Sequence, residues 1–177
     1  PVGFAYHLAI PYITDRGFVA HLQFRRISRS GEKVTGPKYR HLKGQVPIPY
    51  NITATNGLPV DDSGRGRLFM AEGALDALSL FQLGLGAVGI PGVGWLDKNR
   101  SERILKRLGD DTDVVMAFDA DKAGREANER FVGVFQELGA SAMSVQWPSD
   151  FAGDWCDWFR ERPESAPAIL SEAPQIS

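Results

Sequence analysis

The stretch Val114-Val115-Met116-Ala117-Phe118-Asp119-Ala120-Asp121-Lys122-Ala123-Gly124-Arg125 decides the fold that we expect for this chain. Its apolar start has the pattern of a buried strand in a parallel sheet. Two carboxylates, Asp119 and Asp121, come next, and a helical pattern begins directly after them. Because open α/β sheets bind ligands at the carboxyl ends of their strands, we expect the two acids at such a site. Carboxylates one residue apart suit a hard divalent cation such as Mg²⁺.

Strand and helix patterns alternate on both sides of this stretch, from residue 67 to residue 162. Such alternation predicts an α/β fold with a four-stranded, mostly parallel sheet flanked by helices. The predicted strands are 68–71, 87–90, 114–118 and 141–147. The predicted helices are 74–83, 97–108, a long helix that Gly139 ends, and a short helix over 154–162.

The first 60 residues have strand and turn patterns, which predict a small β-rich α+β subdomain. A strand over 8–13 contains Pro11, which places it at a sheet edge or interrupts it. A hairpin-type turn at 14–17 leads to a strand over 18–27, and a polar loop over 28–36 follows. The expected division of the chain is a basic subdomain over 1–64, an α/β domain over 65–160, and a flexible tail or linker over 161–177.

The charge of the chain is divided unevenly. Residues 1–50 contain eight lysines and arginines but only two acids, which gives them a net charge of +6. Since the whole chain carries −2, the remaining residues carry −8. A basic part joined to an acidic part suits a protein that holds a polyanion with the first and metal ions with the second. A chance division of solvated charges is the alternative interpretation.

Composition narrows the class of protein. With 177 residues, 43% hydrophobic and 24% charged, the chain has the makeup of a soluble globular protein. No apolar run approaches the roughly 20 residues of a membrane span, and no signal peptide is recognisable. Cys156 is the only cysteine, which excludes a disulfide framework and fits a cytoplasmic setting. A start at Pro1 rather than at methionine is typical of a piece of a longer protein.

Carboxylates follow three of the four predicted strands. They are Glu72 and Asp76 after the first strand, Asp119 and Asp121 after the third, and Asp154 and Asp157 after the fourth. Because the carboxyl ends of parallel strands share one edge of a sheet, we expect these groups to gather there and to need a metal ion or a cationic partner. Simpler alternatives are a turn for Glu72, a helix cap for Asp121, and a surface turn and helix face for the last pair.

Three motifs in this part of the chain occur together. They are Glu72-Gly73-Ala74-Leu75-Asp76-Ala77-Leu78, a glycine-bearing turn at 89–94, and Phe118-Asp119-Ala120-Asp121-Lys122-Ala123-Gly124-Arg125. Together they resemble the TOPRIM domain of primases, topoisomerases and some nucleases, and the Ala-Gly-Arg after the acids resembles the primase variant. Asp154-Trp155-Cys156-Asp157 is similar to the third acidic motif of that family, with Gly153 in place of the usual lysine. The resemblance covers about 67–160 and implies a Rossmann-like TOPRIM fold.

The N-terminal part carries a second set of features. They are Ile10-Pro11, a turn with Gly17, the strand end Arg25-Arg26, Pro37-Lys38-Tyr39, and Tyr50-Asn51. This set is similar to the basic subdomain that precedes TOPRIM in primases. That subdomain has an aromatic-x-Lys element shortly before its closing tyrosine. Here residues 45–49 intervene, and either Lys43 takes the role of that lysine or no residue does.

The resemblance implies roles for these residues around Mg²⁺ or Mn²⁺. Glu72, Asp119 and Asp121 would surround the metal, or Glu72 would handle a proton instead. Asp76, Asp154 and Asp157 would be further ligands or hold a second metal. Template phosphates or the nucleoside triphosphate would be held by Arg25, Arg26, Lys38, Arg40 and Lys43.

Three further residues have alternative roles. Tyr39 would stack on a base or serve only for packing. Lys122 and Arg125, which follow the acids directly, would pair with those acids or contact phosphate, and pairing is favoured for Lys122.

The resulting hypothesis is the catalytic core of a DNA primase, a nucleotidyltransferase of DNA replication. It would make short RNA primers from ribonucleoside triphosphates on single-stranded DNA, beside a zinc-binding domain and a replicative helicase in the same or another chain. One alternative is a TOPRIM nuclease or topoisomerase fragment that cleaves DNA. Another is a TOPRIM module that binds nucleic acid without chemistry. The basic subdomain favours the primase, and the set of Glu72, Asp119 and Asp121 argues against the module.

Overall fold

A computed structural model describes residues 7–27 and 37–162 of the chain. The strands are β1 His7–Ile13, β2 Val19–Arg26, β3 Tyr39–His41, β4 Gly66–Ala71, β5 Gly86–Gly89, β6 Thr112–Met116 and β7 Ser141–Ser144. The α-helices are α1 Ala74–Phe81, α2 Lys98–Leu105, α3 Lys122–Glu137 and α4 Trp155–Glu161. Two 3-10 helices are Ile52–Asn56 and Val93–Trp95. The loop predicted over 28–36 and residues 163–177 of the predicted tail lie outside the described residues.

Four parallel strands form the central sheet in the order β5-β4-β6-β7. The chain continues from β4 to β5 on one side of the sheet, returns to β6 on the other side of β4, and then continues outward to β7. The strand order therefore reverses between β4 and β6. The predicted α/β fold with a four-stranded parallel sheet flanked by helices is therefore confirmed. β6 ends two residues earlier than predicted, and the buried Ala117 and Phe118 lead from it to the acids.

Side chains from alternate residues of each strand enter separate cores on the two faces of the sheet, as the two-residue period of a strand requires. On one face, Phe69 and Val115 pack with the aromatic residues around Trp155. On the other, Leu68 and Val114 pack with Phe131 and other apolar residues of α2 and α3. Both faces are covered, which explains why the strand at 114–118 is apolar at every position.

The antiparallel sheet β1-β2-β3 precedes the parallel one. Pro11 lies in β1, which pairs with β2 alone among the strands that the structure describes, as the proline predicts. Tyr50 joins the two parts of the structure: its N–H donates to the Gly89 carbonyl at 2.7 Å, and the Gly89 N–H donates to the Tyr50 carbonyl at 3.1 Å. The N-terminal part therefore attaches to the edge of the parallel sheet at the carboxyl end of β5.

The division into units over 1–64, 65–160 and 161–177 stays a prediction. Within the described ranges, none of the helices combines the length and the apolarity that crossing a membrane requires.

Candidate active site

The chain places carboxylates at the point where the strand order reverses, the position at which open α/β sheets bind ligands. Glu72 directly follows β4, and Asp119 lies three residues after the end of β6. Both line a cleft of about 330 Å³ together with Asp76, from the first turn of α1, and Asp154, which precedes α4. Four of the six predicted acids therefore share one cleft.

Burial and mutual repulsion raise the pKa of three of these carboxyl groups. Burial, followed by the charges of Asp76 and Glu72, raises the pKa of Asp119 to about 8. Burial and the charge of Asp154 raise the pKa of Asp76 to about 6. Burial and the charge of Asp121 also raise the pKa of Glu72. Without a cation, Asp119 therefore holds a proton at neutral pH.

Two buried oxygens of this cluster have no hydrogen-bond partner among the described residues: Oδ1 of Asp76 and Oδ1 of Asp119. An unpaired buried carboxylate oxygen is costly, and a bound divalent cation removes that cost. Mg²⁺ prefers carboxylate oxygens and keeps positions for water and phosphate. The residues at the cleft therefore fit a metal ion of this kind.

Two of the predicted ligands are also helix caps. Asp121 Oδ1 accepts a hydrogen bond from the Gly124 N–H at 2.8 Å, and Asp154 Oδ1 accepts one from the Asp157 N–H at 2.8 Å. The charge of Asp121 nevertheless reaches Glu72 and Asp119, whose pKa it raises. Capping and a role in the acidic cluster are therefore compatible, because one carboxylate has two oxygens.

A cysteine adjoins the cluster, which the sequence did not suggest. One ligand atom each of Asp76, Asp154 and Cys156 lie within 4.8 Å of one another. The Cys156 Sγ is 3.5 Å from the Ser79 hydroxyl, and burial raises the pKa of its thiol. This thiol places a softer potential ligand beside the carboxylates.

The antiparallel sheet forms the opposite wall of the cleft and carries positive charge. Lys38 and Tyr39 line the cleft, and the Arg25 guanidinium donates to the Tyr39 hydroxyl at 2.6 Å. The charges of Lys38 and Arg25 each lower the pKa of Asp76, although burial outweighs them. The basic and acidic parts that the sequence predicts thus face each other across the cleft.

Three residues of this wall were not predicted: Tyr12, Gln23 and His41 also line the cleft. Tyr12 donates from its hydroxyl to the Gln23 side chain at 3.1 Å. His41 Nδ1 is 2.9 Å from Nε2 of the buried His21. The two-residue spacing of His21, Gln23 and Arg25 puts them on one face of β2, but the spacing alone does not say which face meets the acids.

Other predicted contact residues lie elsewhere. Asp157 bonds Arg160 at 2.7 Å and is not among the described residues that line the cleft. Lys122 is highly exposed and is 3.8 Å from Glu126, not paired with the acids that precede it. Arg26 follows Arg25, which bonds Tyr39, and Arg40 follows Tyr39, which lines the cleft, so both point to the opposite side of the sheet. Lys43 is exposed in the turn after β3.

Arg125 has a role that the sequence did not indicate. Its guanidinium donates to four backbone carbonyls, which belong to Ala120 at 2.8 Å, Trp147 at 3.2 Å, Pro148 at 3.0 Å and Phe151 at 3.1 Å. These bonds join residues 119–121, which we call the turn of the acids, to the loop after β7. Since a guanidinium has five donors in a fixed plane, it suits this arrangement better than an amine.

We expect Arg125→Gln to lower the free energy of unfolding by about 2–4 kcal/mol, because carbonyls would lose a charged donor. Lys122→Gln, three positions earlier, removes the same charge from an exposed side chain and should change stability by no more than about 0.5 kcal/mol. Urea unfolding followed by circular dichroism measures both. Weaker DNA binding by Arg125→Gln at unchanged stability would show that Arg125 instead contacts phosphate.

Close packing explains the glycine in the third acidic motif. A Cβ at Gly153 would lie 3.0 Å from Phe151 Cζ and 3.1 Å from Asp157 Cβ. The Gly153 carbonyl also accepts a hydrogen bond from the Ala120 N–H at 2.8 Å. The loop before α4 therefore packs directly on the turn of the acids, and the Cβ of a lysine at position 153 would require the side chains of Phe151 and Asp157 to shift.

The fold and the acidic cleft define an α/β domain of Rossmann-like type with its site at the strand-order reversal. The model of the Toprim-like family matches residues 69–159, just over half of the chain. The chain belongs to the Toprim-like family. None of the curated proteins matches it.

Solved primase structures have the same fold. The zinc-binding and RNA polymerase domains of the Aquifex aeolicus primase match with a TM-score of 0.71 and 20% identity, over 96% of this chain and 41% of that chain. A primase catalytic domain bound to single-stranded DNA matches with 0.65 and 20%, over 94% and 51%. The primase fragment of the bacteriophage T7 primase-helicase protein matches with 0.67 and 16%, over 97% and 64%. The chain thus spans 41% to 64% of these relatives.

Proposed function

We propose that this chain is the catalytic core of a DNA primase, which joins ribonucleotides into a short primer on a single-stranded DNA template. The observation that carries the proposal is the cleft itself, where four carboxylates face a wall that holds Arg25 and Lys38. Transfer of a nucleotidyl group needs little covalent chemistry from the protein beyond positioning and neutralisation of charge. A cleft with an acidic and a basic wall can provide both.

The acidic wall would hold Mg²⁺ or Mn²⁺. Glu72, Asp119 and Asp121 form the proposed centre, and Asp76 and Asp154 are the proposed further ligands. Bound there, the metal would neutralise phosphate charge and stabilise the attacking and leaving oxygens. Asp157 would act less directly, because its N–H fixes one oxygen of Asp154. Glu72, with its raised pKa, is also suited to taking a proton from the attacking hydroxyl.

The basic wall would hold the polyanions. Lys38 and Arg25 are placed to bind the triphosphate of an incoming nucleotide beside the metal. Tyr39, fixed by Arg25 and with Lys38 5.9 Å from its ring centroid, would support the base. Arg26, Arg40 and Lys43 lie outside the cleft and would contact the template phosphates. A replicative helicase, in the same or another chain, is the proposed partner.

Incubation of the purified chain with single-stranded DNA, the four ribonucleoside triphosphates and Mg²⁺ or Mn²⁺ tests the proposal. We expect template-dependent RNA products on a denaturing gel, and we expect Glu72→Gln to abolish them. Glu137→Gln is the matched control, since Glu137 is an exposed carboxylate at the end of α3. Degradation of the template with no incorporation under either metal would replace the primase with a nuclease. Binding of DNA with neither reaction would indicate a non-catalytic module.

A further inference from the structure

Helix α2 and the two residues that follow it form a basic element within the acidic part of the chain. Residues 98–107 contain five lysines and arginines and one acid, a net charge of +4, although residues 51–177 carry −8. The proposed metal site does not use this helix, since none of the described residues that line the acidic cleft belongs to α2. The concentration of positive charge on α2 therefore needs a separate explanation.

One side of α2 forms a groove of about 480 Å³ with the segment 46–52. The apolar lining residues are Val46, Pro47, Ile48, Pro49, Ile52, Trp95 and Ile104. Three arginines complete the lining, Arg100, Arg103 and Arg107, and none of the described residues that line the groove is an acid. An apolar floor with only positive charges matches a ligand with flat apolar groups and negative charges. Single-stranded nucleic acid has both features.

Trp95 is held in an orientation suited to stacking. Its indole N–H donates to the Pro47 carbonyl at 3.2 Å. The Arg100 guanidinium lies 4.9 Å from the ring centroid and also donates to the Trp95 carbonyl at 2.6 Å. Unpaired bases stack on tryptophan rings and on arginine planes. The pair formed by Trp95 and Arg100 therefore offers a preformed stacking platform.

The other arginines differ in what they already contact. Arg107 bonds Asp15 at 2.5 Å and the Thr55 hydroxyl at 3.0 Å, so it also fixes the groove wall. Arg103 has no hydrogen-bond or ion-pair partner in the part of the chain that the structure describes. Its guanidinium is therefore available for a phosphate.

The groove begins where the acidic cleft ends. Gly92 lines the cleft, and Trp95, at the end of the 3-10 helix Val93–Trp95, lines the groove. Pro49 lines the groove and the adjacent Tyr50 is bonded to β5. A strand that leaves the cleft over the turn 92–95 would therefore enter the groove directly.

We propose that this groove, which we call the Trp95 groove, holds the single-stranded DNA template outside the cleft. The proposal rests on the proposed primase function for the identity of the strand. An apolar peptide is the less suitable occupant, because it would leave Arg103 without an anion, whereas Arg100 is paired with Asp97 and Arg107 with Asp15.

Tryptophan fluorescence tests the occupant directly. The other three tryptophans are at most 6% exposed, so Trp95 is the side chain that a ligand can reach. Titration with a 20-nucleotide thymidine oligomer should quench the emission, and Trp95→Phe should remove that quenching. Unchanged emission of the wild-type chain at saturating oligomer, with binding verified by anisotropy, would overturn the proposal.

A pair of charge variants tests whether Arg103 contacts a phosphate of the bound strand. Arg103→Gln should weaken binding of a fluorescein-labelled oligomer by about 3- to 10-fold and lower the salt slope by about 0.7, the value for one phosphate contact on a single strand. Lys106→Gln removes a charge directly after the same helix and outside the groove, and it should change affinity by less than about 2-fold. Equal effects of the two variants would reject a specific contact in the groove.

The outcome of these measurements is separate from the proposed function. Quenching of Trp95 with no primer synthesis would overturn the primase and keep the groove as a site for single strands. Primer synthesis with no quenching and no difference between Arg103→Gln and Lys106→Gln would overturn the groove and keep the primase.

Discussion

Asp119→Asn is expected to lower the rate of primer synthesis at least about 100-fold and, at the same time, to stabilise the metal-free protein. The loss of activity follows because the variant removes one of the proposed metal ligands, and several kcal/mol of transition-state stabilisation would depend on the metal. The gain in stability follows because Asp119 is buried among like charges, with Oδ1 unpaired among the described residues. Asparagine has nearly the same shape and carries no charge.

The gain in stability of Asp119→Asn over the wild type should increase as the pH rises. Burial and neighbouring acids raise the pKa of Asp119 from 3.8 to about 8 in the folded chain. Between these values the folded state holds a proton that the unfolded state has lost, so stability falls as the pH rises through this window. The wild type and Asp119→Asn should therefore melt at similar temperatures near pH 4. Near pH 8.5, in EDTA, the melting temperature of the variant should be higher than that of the wild type by about 3 °C or more. A difference of this size corresponds to about 1 kcal/mol in the free energy of unfolding.

Asp113 provides the matched control at the opposite end of the same strand. It is buried but bonded to Arg65 at 2.5 Å, and its pKa is lowered despite a desolvation effect that raises it. Its contribution to stability is therefore present above its unfolded pKa and is lost as the pH falls. Asp113→Asn should destabilise the protein at pH 7 and leave the proposed metal site intact. A lower melting temperature for Asp119→Asn at pH 8.5 would contradict the proposed repulsion.

The sequence predicted the parallel sheet and the acids of its edge because both depend on short-range pattern. The run at 114–118 is apolar throughout, which requires cover on both faces, and the cores around Trp155 and Phe131 provide it. Asp119 and Glu72 follow strands, and parallel strands bring their ends to one edge whatever the details of packing. The site at the strand-order reversal thus follows from topology alone.

The opposite wall of the cleft could not be predicted in the same way. Which face of β2 meets the acids depends on how the antiparallel sheet docks, and the bridge between Tyr50 and Gly89 sets that docking. Before the docking is known, the face of Gln23 and the face of Phe24 are equivalent choices. Lys38 and Arg25 were found through their charge, whereas Tyr12 and Gln23 carry none.

Arg125 shows a different limit. Its position beside Asp121 suggested a contact with the acids or with phosphate, but two of its carbonyl partners, those of Trp147 and Pro148, are 22 and 23 residues away. Backbone carbonyls occur at every residue and leave no mark in a sequence. Only the approach of the loop after β7 to the turn of the acids reveals the role of this arginine.

Gly124→Ala is expected to destabilise the protein by about 1–3 kcal/mol and to reduce primer synthesis, although glycine is normally the weaker residue in a helix. A Cβ at Gly124 would overlap the backbone carbonyl of Asp119, so α3 and the turn of the acids would have to separate. The Gly124 N–H is also the group that Asp121 Oδ1 accepts from, so both predicted metal ligands would move. Thermal melting and the primer assay measure the two effects.

Gly133→Ala, in the same helix, should have the opposite effect. A Cβ at Gly133 meets no atom within 4 Å, so the substitution should add about 0.5–1 kcal/mol of stability through the lower backbone entropy of the unfolded chain. Its activity should equal that of the wild type, since Gly133 lies more than two turns beyond Gly124 along α3. If both Gly124→Ala and Gly133→Ala stabilise the protein, the turn of the acids can move away from α3 without a cost in free energy. Asp119 would then be held in place by the loop after β7 and not by close packing at Gly124.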